Sequence, residues 1–135
     1  MDAQQQMRLL QLVQQQRWAA LATIGGDYPE ASWVAYGVAA DGSVLLHLSR
    51  LASHTRNLER DPRASLAISQ PEQPQQNPQE LARVTLFGTI QFIERDTPEY
   101  RIAQQSYIAR LPEAEMLFNF ADFFLMRLVP ERARW

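Results

Sequence analysis

Hydroxyl, imidazole and guanidinium groups cluster near the middle of the chain, at Ser49, Arg50, Ser53, His54 and Thr55. Groups of these types bind anions through charge-assisted hydrogen bonds. The first turn of a helix adds unpaired backbone N–H groups and the positive end of the helix dipole. If a helix begins within this cluster, the residues therefore favour a phosphate site. The alternative is that Ser49 or Ser53 only caps the helix and that the arginines are solvated.

The sequence around the cluster predicts a strand that leads into a helix. Residues 44–49 alternate with a period of two, which is typical of a strand. Leu51, Thr55 and Leu58 then recur at helical spacing. Pro62 ends this helix, because proline disfavours the α conformation of the residue before it. The polar cluster is thus expected at a strand-to-helix junction.

The composition excludes several classes of chemistry. All 13 basic residues are arginine and there is no cysteine, which excludes a lysine Schiff base, a P-loop lysine, a thiolate nucleophile and zinc–thiolate or iron–sulfur sites. The two histidines, His47 and His54, are too few for a histidine-rich metal centre, so no metal site is expected. Redox or other demanding chemistry therefore requires a bound cofactor.

Length and charge limit the organisation and the partners. A chain of 135 residues is expected to form one domain, residues 1–135. The net charge of −2 argues against a nucleic-acid partner. No apolar run reaches membrane-spanning length, and the amino terminus lacks the layout of a secretory signal. The absence of cysteine makes the cytoplasm the expected location.

Periodicity and turn signals predict a small antiparallel barrel with peripheral helices. Gly88, in the middle of a long strand, suggests a bulge, and the proline-rich segment 70–80 suggests an exposed flexible loop. Strands are predicted at residues 17–24, 29–39, 44–49, 64–69, 81–94 and 122–129. Besides the helix after residue 50, helices are predicted at residues 2–16, 96–109 and 113–118.

The segment LSRLASHTRNLERDPRASLAI, residues 48–68, resembles the signature of the pyridoxamine 5′-phosphate oxidase-like FMN-binding split barrels. It is most similar to the haem-utilisation branch of that family, in which LSRLA-x-HT-x-NL is followed by DPRASL. The supporting segments PEASWVAYGV, LARVTLFGTI and ADFFLMRLVPERARW occur in the expected order. The resemblance therefore covers roughly residues 17–135.

The resemblance implies a mainly β fold, a six-stranded antiparallel split barrel, that forms a homodimer with FMN at the interface between protomers. It implies flavin contacts from Ser32, Trp33 and Val34, and a contact from Arg83 that often crosses the dimer. The phosphate ligands would be Ser49, Ser53, His54 and Thr55, with added charge from Arg50. Ser53 and His54 stand where the oxidases commonly have an Arg-Lys pair. Phosphate affinity would then depend on pH, because histidine titrates near neutrality.

On this resemblance the protein is expected to be an FMN-dependent oxidoreductase with a small-molecule substrate that the sequence does not identify. The chain stops near Trp135, before the glycine-rich strand and the carboxyl-terminal domain of related proteins. Pyridoxamine phosphate oxidation is therefore not expected, and haem degradation is the second hypothesis. The alternatives are a non-catalytic flavin or haem carrier and a dimeric interaction module without a ligand.

Several of these residues have structural alternatives. His54 is either a phosphate ligand or a buried or capping histidine, and Trp33 contacts either the flavin or the dimer partner. Arg83 either reaches the cofactor or pairs with Glu80. His47 is expected to be a barrel-face residue without a catalytic role.

Overall fold

The computed structural model describes residues 1–135, and its centre is a seven-stranded sheet in which all neighbouring strands are antiparallel. The strands are β1 (Trp18–Ile24), β2 (Pro29–Ala35), β3 (Gly37–Val38), β4 (Val44–Ser49), β5 (Arg63–Ser69), β6 (Arg83–Phe92) and β7 (Phe123–Arg134). The helices are α1 (Ala3–Gln15), α2 (Ser53–Arg60) and α3 (Pro98–Arg110), with 3₁₀ segments at Pro78–Glu80 and Pro112–Asn119. None of these helices is both long enough and apolar enough to cross a bilayer.

The barrel closes through one continuous piece of chain. The strand order is β2-β1-β5-β6-β7-β4-β3, so the two edge strands are consecutive in sequence and are separated only by Tyr36. The Tyr36 side chain is fully buried, and its hydroxyl donates a hydrogen bond of 2.6 Å to the carbonyl of Val13 in α1. The mainly β antiparallel barrel is therefore confirmed. The predicted strand 29–39 is divided at Tyr36, which raises the strand count from six to seven.

Apolar side chains cover both faces of β4. Leu46 and Leu48 point into the barrel core, whereas Leu45 belongs to a second cluster under α3 that includes Tyr107 and Leu125. Because side chains alternate along a strand, residue 47 shares the outer face with Leu45. The second cluster therefore forms a floor between β4 and α3, next to the start of α2.

The last strand continues well beyond its predicted end at residue 129. Pro130 lies opposite Gly88, and the register between β6 and β7 shifts between Phe87 and Gly88. A bulge tolerates proline within a strand because one ladder hydrogen bond is already missing there. The bulge predicted from Gly88 is thus confirmed, and it explains how the strand passes Pro130.

Local signals outside the barrel are also largely confirmed. The hydroxyl of Thr97 accepts a hydrogen bond of 3.1 Å from the backbone N–H of Tyr100 and caps α3. Most of segment 70–80 is exposed, as predicted, but it also contains the 3₁₀ turn Pro78–Glu80. That turn was not predicted.

The close packing at Gly88 gives a first prediction. A Cβ atom at this position lies 2.1 Å from the carbonyl oxygen of Val129, which is backbone and cannot rotate away. We expect Gly88→Ala to lower the free energy of unfolding by about 2–3 kcal/mol, measured by urea denaturation. Gly26→Ala is the control, because nothing lies within 4 Å of its Cβ. Equal stability of the two variants would contradict the packing argument.

Candidate functional site

A cleft of about 440 Å³ lies between β2, β4, the start of α2 and the 3₁₀ segment after α3. Most of its wall is apolar. Four residues that the family resemblance implicates, Trp33, Val34, Ser49 and His54, line this space. We call it the His54 cleft. The structure therefore brings together residues from β2, β4 and α2 that are distant from one another in the sequence.

The turn from β4 into α2 is fixed by contacts of Ser49 and Arg50. The Ser49 hydroxyl donates to Asp122 Oδ2 at 3.3 Å and accepts from the backbone N–H of Leu51 at 3.1 Å. The backbone N–H of Arg50 donates to the Asp122 carbonyl at 2.6 Å, and the Arg50 side chain is exposed. The N-cap position of α2 is Ala52, which supplies no side-chain cap. The alternative in which Ser49 or Ser53 caps this helix is therefore wrong.

The imidazole of His54 is held by Ser32. Ser32 Oγ and His54 Nδ1 lie 3.0 Å apart, and the His54 ring is half-buried. Burial lowers the pKa of His54 below its usual value, and the carboxylate of Glu30 partly opposes that shift. The imidazole is thus neutral at neutral pH. When Nδ1 donates to Ser32, the Nε2 lone pair is free to accept a proton or bind a metal.

A carboxylate lies at the amino end of α2, where the sequence predicts a phosphate. Ser53 Oγ donates to Glu30 Oε1, and Asn57 Nδ2 donates to Glu30 Oε2 at 3.0 Å. These hydrogen bonds, that of Ser53 first, hold the pKa of Glu30 below its usual range. Sequence reasoning missed Glu30. A signal was present, because Glu30 shares one face of β2 with Ser32 and Val34.

His47 lies deeper in the same cleft. Its side chain is only 6% exposed and stacks on Phe118, with ring centroids 3.8 Å apart. Neither ring nitrogen has a hydrogen-bond partner. Burial, assisted by the charge of Arg95, lowers the pKa of His47 to about 4. His47 is therefore neutral, like His54, and it lies on the floor of the cleft.

The remaining predicted residues lie outside this cleft. Thr55 is fully buried in α2, and its hydroxyl has no partner. Arg83 lines a second cleft of about 670 Å³, the Arg83 cleft, together with Trp18, Trp33 and Arg134. Its guanidinium makes long contacts with the Pro78 carbonyl and Gln79 Oε1, 3.5 and 3.4 Å, and no ion pair with Glu80.

Trp33 is common to both clefts. Its ring stacks in parallel on that of Trp18, with centroids 5.5 Å apart. The two rings are 63% and 56% exposed. This exposed aromatic pair therefore lies where the His54 cleft and the Arg83 cleft meet.

The His54 cleft suits an apolar ligand better than the phosphate of FMN. Two of the predicted phosphate ligands are already engaged, Ser49 by Asp122 and Ser53 by Glu30. The Glu30 carboxylate also adds negative charge at that position. The wall itself is mainly apolar and includes a neutral imidazole, which suits a ring that contains a metal.

Comparison with known proteins gives a consistent family. A model of the family described as "CREG, beta-barrel" matches residues 7–135. The chain is 35% identical over 109 residues to the non-canonical heme oxygenase HOZ, chloroplastic, of Arabidopsis thaliana. That match covers 80% of this chain and 32% of the relative, so the chain spans about a third of the relative's length.

Two solved structures share the fold. A heme binding protein from Mycobacterium smegmatis superimposes with a TM-score of 0.84 at 34% identity, covering 93% of this chain and 51% of that one. A putative pyridoxamine 5′-phosphate oxidase from Listeria innocua gives a TM-score of 0.70 at 19% identity, covering 96% of each chain. The second likeness concerns the fold alone, and it supports the split barrel predicted from sequence.

Burial of His47 predicts how stability depends on pH. Its pKa is about 4 in the folded protein and about 6.5 in the unfolded chain, so the unfolded chain binds more protons below pH 6.5. The free energy of unfolding therefore falls as pH decreases from 6.5 towards 4. We expect the wild type to lose up to about 2 kcal/mol more than His47→Phe between pH 7 and pH 5, measured by urea denaturation. If the two proteins lost equal free energy of unfolding, protonation of the buried His47 would carry no energetic penalty and the argument would be wrong.

Proposed function

The chain belongs to the CREG β-barrel family, and on that premise we propose that it binds haem in the His54 cleft. The observation that carries the proposal is the 3.0 Å contact between Ser32 Oγ and His54 Nδ1. Histidines that ligate metals typically donate their second ring N–H to an oriented acceptor, which fixes both the tautomer and the ring. Ser32 supplies such an acceptor and leaves Nε2 of His54 for the iron.

The protonation state of His54 supports the same role. A metal ligand has to be deprotonated, and burial lowers the pKa of His54. Nε2 makes no hydrogen bond within the protein, so no protein contact has to be broken before it binds iron. When bound, haem would supply redox-active iron, held by His54 in apolar surroundings.

The wall of the cleft supports a largely apolar ligand. Val34, Leu48 and Leu117 provide apolar surface, and Trp33 provides an aromatic ring at the boundary with the Arg83 cleft. Two relatives that are about a third identical, a heme oxygenase and a heme binding protein, support haem as the ligand.

We further propose a homodimer with the cofactor between protomers. The exposed pair of Trp18 and Trp33 forms an aromatic surface of the kind that marks protein interfaces. In such a dimer the arginines of one Arg83 cleft are available to carboxylates of a ligand in the partner's His54 cleft. This arrangement gives Arg83 a cofactor role across the dimer. The cytoplasmic location remains a prediction.

FMN is the second candidate, with the protein acting as a flavin-dependent oxidoreductase on a small molecule. The observation that favours it is the set of hydroxyls and imidazole at the amino end of α2, on Ser49, Ser53 and His54. FMN would supply hydride or electron transfer. Its phosphate competes with the carboxylate of Glu30 for the hydroxyl of Ser53, and this competition ranks FMN below haem.

Haemin titration tests the first candidate. We expect the wild type to bind one haem per protomer with a sharpened Soret band, and His54→Ala to lose at least about tenfold in affinity, because the iron ligand is removed. Ser32→Ala should also weaken haemin binding, because the His54 ring loses the hydrogen bond that orients it. Arg101→Ala, on the exposed side of α3, is the control. An unchanged spectrum and affinity in His54→Ala would rule out the proposed ligand, and tight FMN binding without haemin binding would favour the second candidate.

Sedimentation velocity tests the dimer. We expect the wild type to sediment as a dimer and Trp18→Glu as a monomer, because a carboxylate cannot be buried unpaired in an aromatic interface. Tyr28→Glu is the matched control, since Tyr28 is 80% exposed in the turn between β1 and β2. A monomeric wild type, or a dimer that tolerates Trp18→Glu, would contradict the proposed interface.

A further inference from the structure

We propose that Glu30 sets the ligand specificity of the His54 cleft: its carboxylate occupies the anion position at the amino end of α2 and excludes ligands that would place a phosphate there. The inference rests on the proposal that this cleft is the ligand site. It assigns to one residue the choice between phosphorylated and unphosphorylated ring ligands.

A hydroxyl and an amide N–H, groups that also donate hydrogen bonds to phosphate, contact the Glu30 carboxylate. Ser53 Oγ contacts one carboxylate oxygen, and Asn57 Nδ2 contacts the other at 3.0 Å. Asn57 is 2% exposed, and its amide is fixed by Thr23 Oγ1 at 3.1 Å and by a guanidinium N–H of Arg60 at 2.6 Å. The Asn57 amide that donates to Glu30 is therefore held rigidly. The anion that accepts from Asn57 and Ser53 is the protein's own Glu30 carboxylate.

The electrostatic environment is that of an anion site. The amino end of α2 contributes the positive end of its dipole. After the hydrogen bonds of Ser53 and Asn57, the charge of Arg56 also lowers the pKa of Glu30. The carboxylate is thus ionised at neutral pH. An incoming phosphate dianion meets a like charge within hydrogen-bonding distance of the same donors and has to displace it.

A purely structural role for Glu30 makes a different prediction. In that case the carboxylate only ties β2 to α2, and its removal lowers stability without creating affinity for phosphate. A specificity role predicts a gain of phosphate binding that depends on the freed donor Ser53. The two roles are therefore separated by ligand binding rather than by stability.

The test compares wild type, Glu30→Gln and Glu30→Ala with three probes: inorganic phosphate, FMN and riboflavin, which lacks the phosphate. We expect Glu30→Ala to bind FMN at least about tenfold more tightly than the wild type, with riboflavin affinity unchanged. Inorganic phosphate should shift the NMR amide signals of Ser53 and His54 in the two Glu30 variants and not in the wild type. Adding Ser53→Ala to Glu30→Ala should abolish the gain.

Glu59→Ala is the matched control, because it removes one negative charge from an exposed position on the same helix. If FMN and riboflavin gain equally, or if phosphate shifts no amide in either Glu30 variant, the inference is wrong. If Glu30→Ala does not fold, Glu30→Gln decides the question, since it removes the charge and keeps the side-chain volume. Haemin binding by the wild type is measured separately, so failure of the haem proposal is distinguishable from failure of this one.

Discussion

Closure of the barrel through Tyr36 is the constraint on which the rest of the structure depends. β2 pairs with β1, and β3 pairs with β4. The fully buried Tyr36 is the single residue between β2 and β3. Burial raises the pKa of Tyr36 to about 12, so its hydroxyl remains a donor to the carbonyl of Val13 at any physiological pH. β2 is one edge strand of this sheet, and its Ser32 and Glu30 side chains reach α2. The contacts of Ser32 with His54 and of Glu30 with Ser53 follow from that placement.

At the amino end of α2, internal and external anions compete for the same donors. A helix terminus that exposes N–H groups gains stability from any nearby negative charge. In this protein β2 supplies that charge as Glu30, with hydrogen bonds from Ser53 and Asn57. On our proposal, a carboxylate from the neighbouring strand changes the ligand preference of this signature of hydroxyls and histidine.

Burial governs the chemistry of both histidines. His47 stacks on Phe118 and is almost inaccessible, whereas His54 is half-buried at the wall of the cleft. Desolvation is the largest cause of the lowered pKa in each case. Both imidazoles are thus neutral, but the hydrogen bond to Ser32 orients only His54. That difference in orientation, rather than in protonation, distinguishes the proposed iron ligand from the histidine on the floor.

The sequence by itself determined the features that depend on neighbours along the chain. The alternation in residues 44–49, the cap at Thr97 and the bulge at Gly88 all follow from local periodicity or backbone preference. The segment 48–68 was sufficient to indicate the split-barrel family. Only the tertiary structure decided that β2 and β3 divide at Tyr36, that β7 passes Pro130 and that Glu30 meets Ser53, 23 residues later. These features arise from strand pairing between distant segments, and pairing depends on the total free energy of the closed barrel rather than on any local pattern.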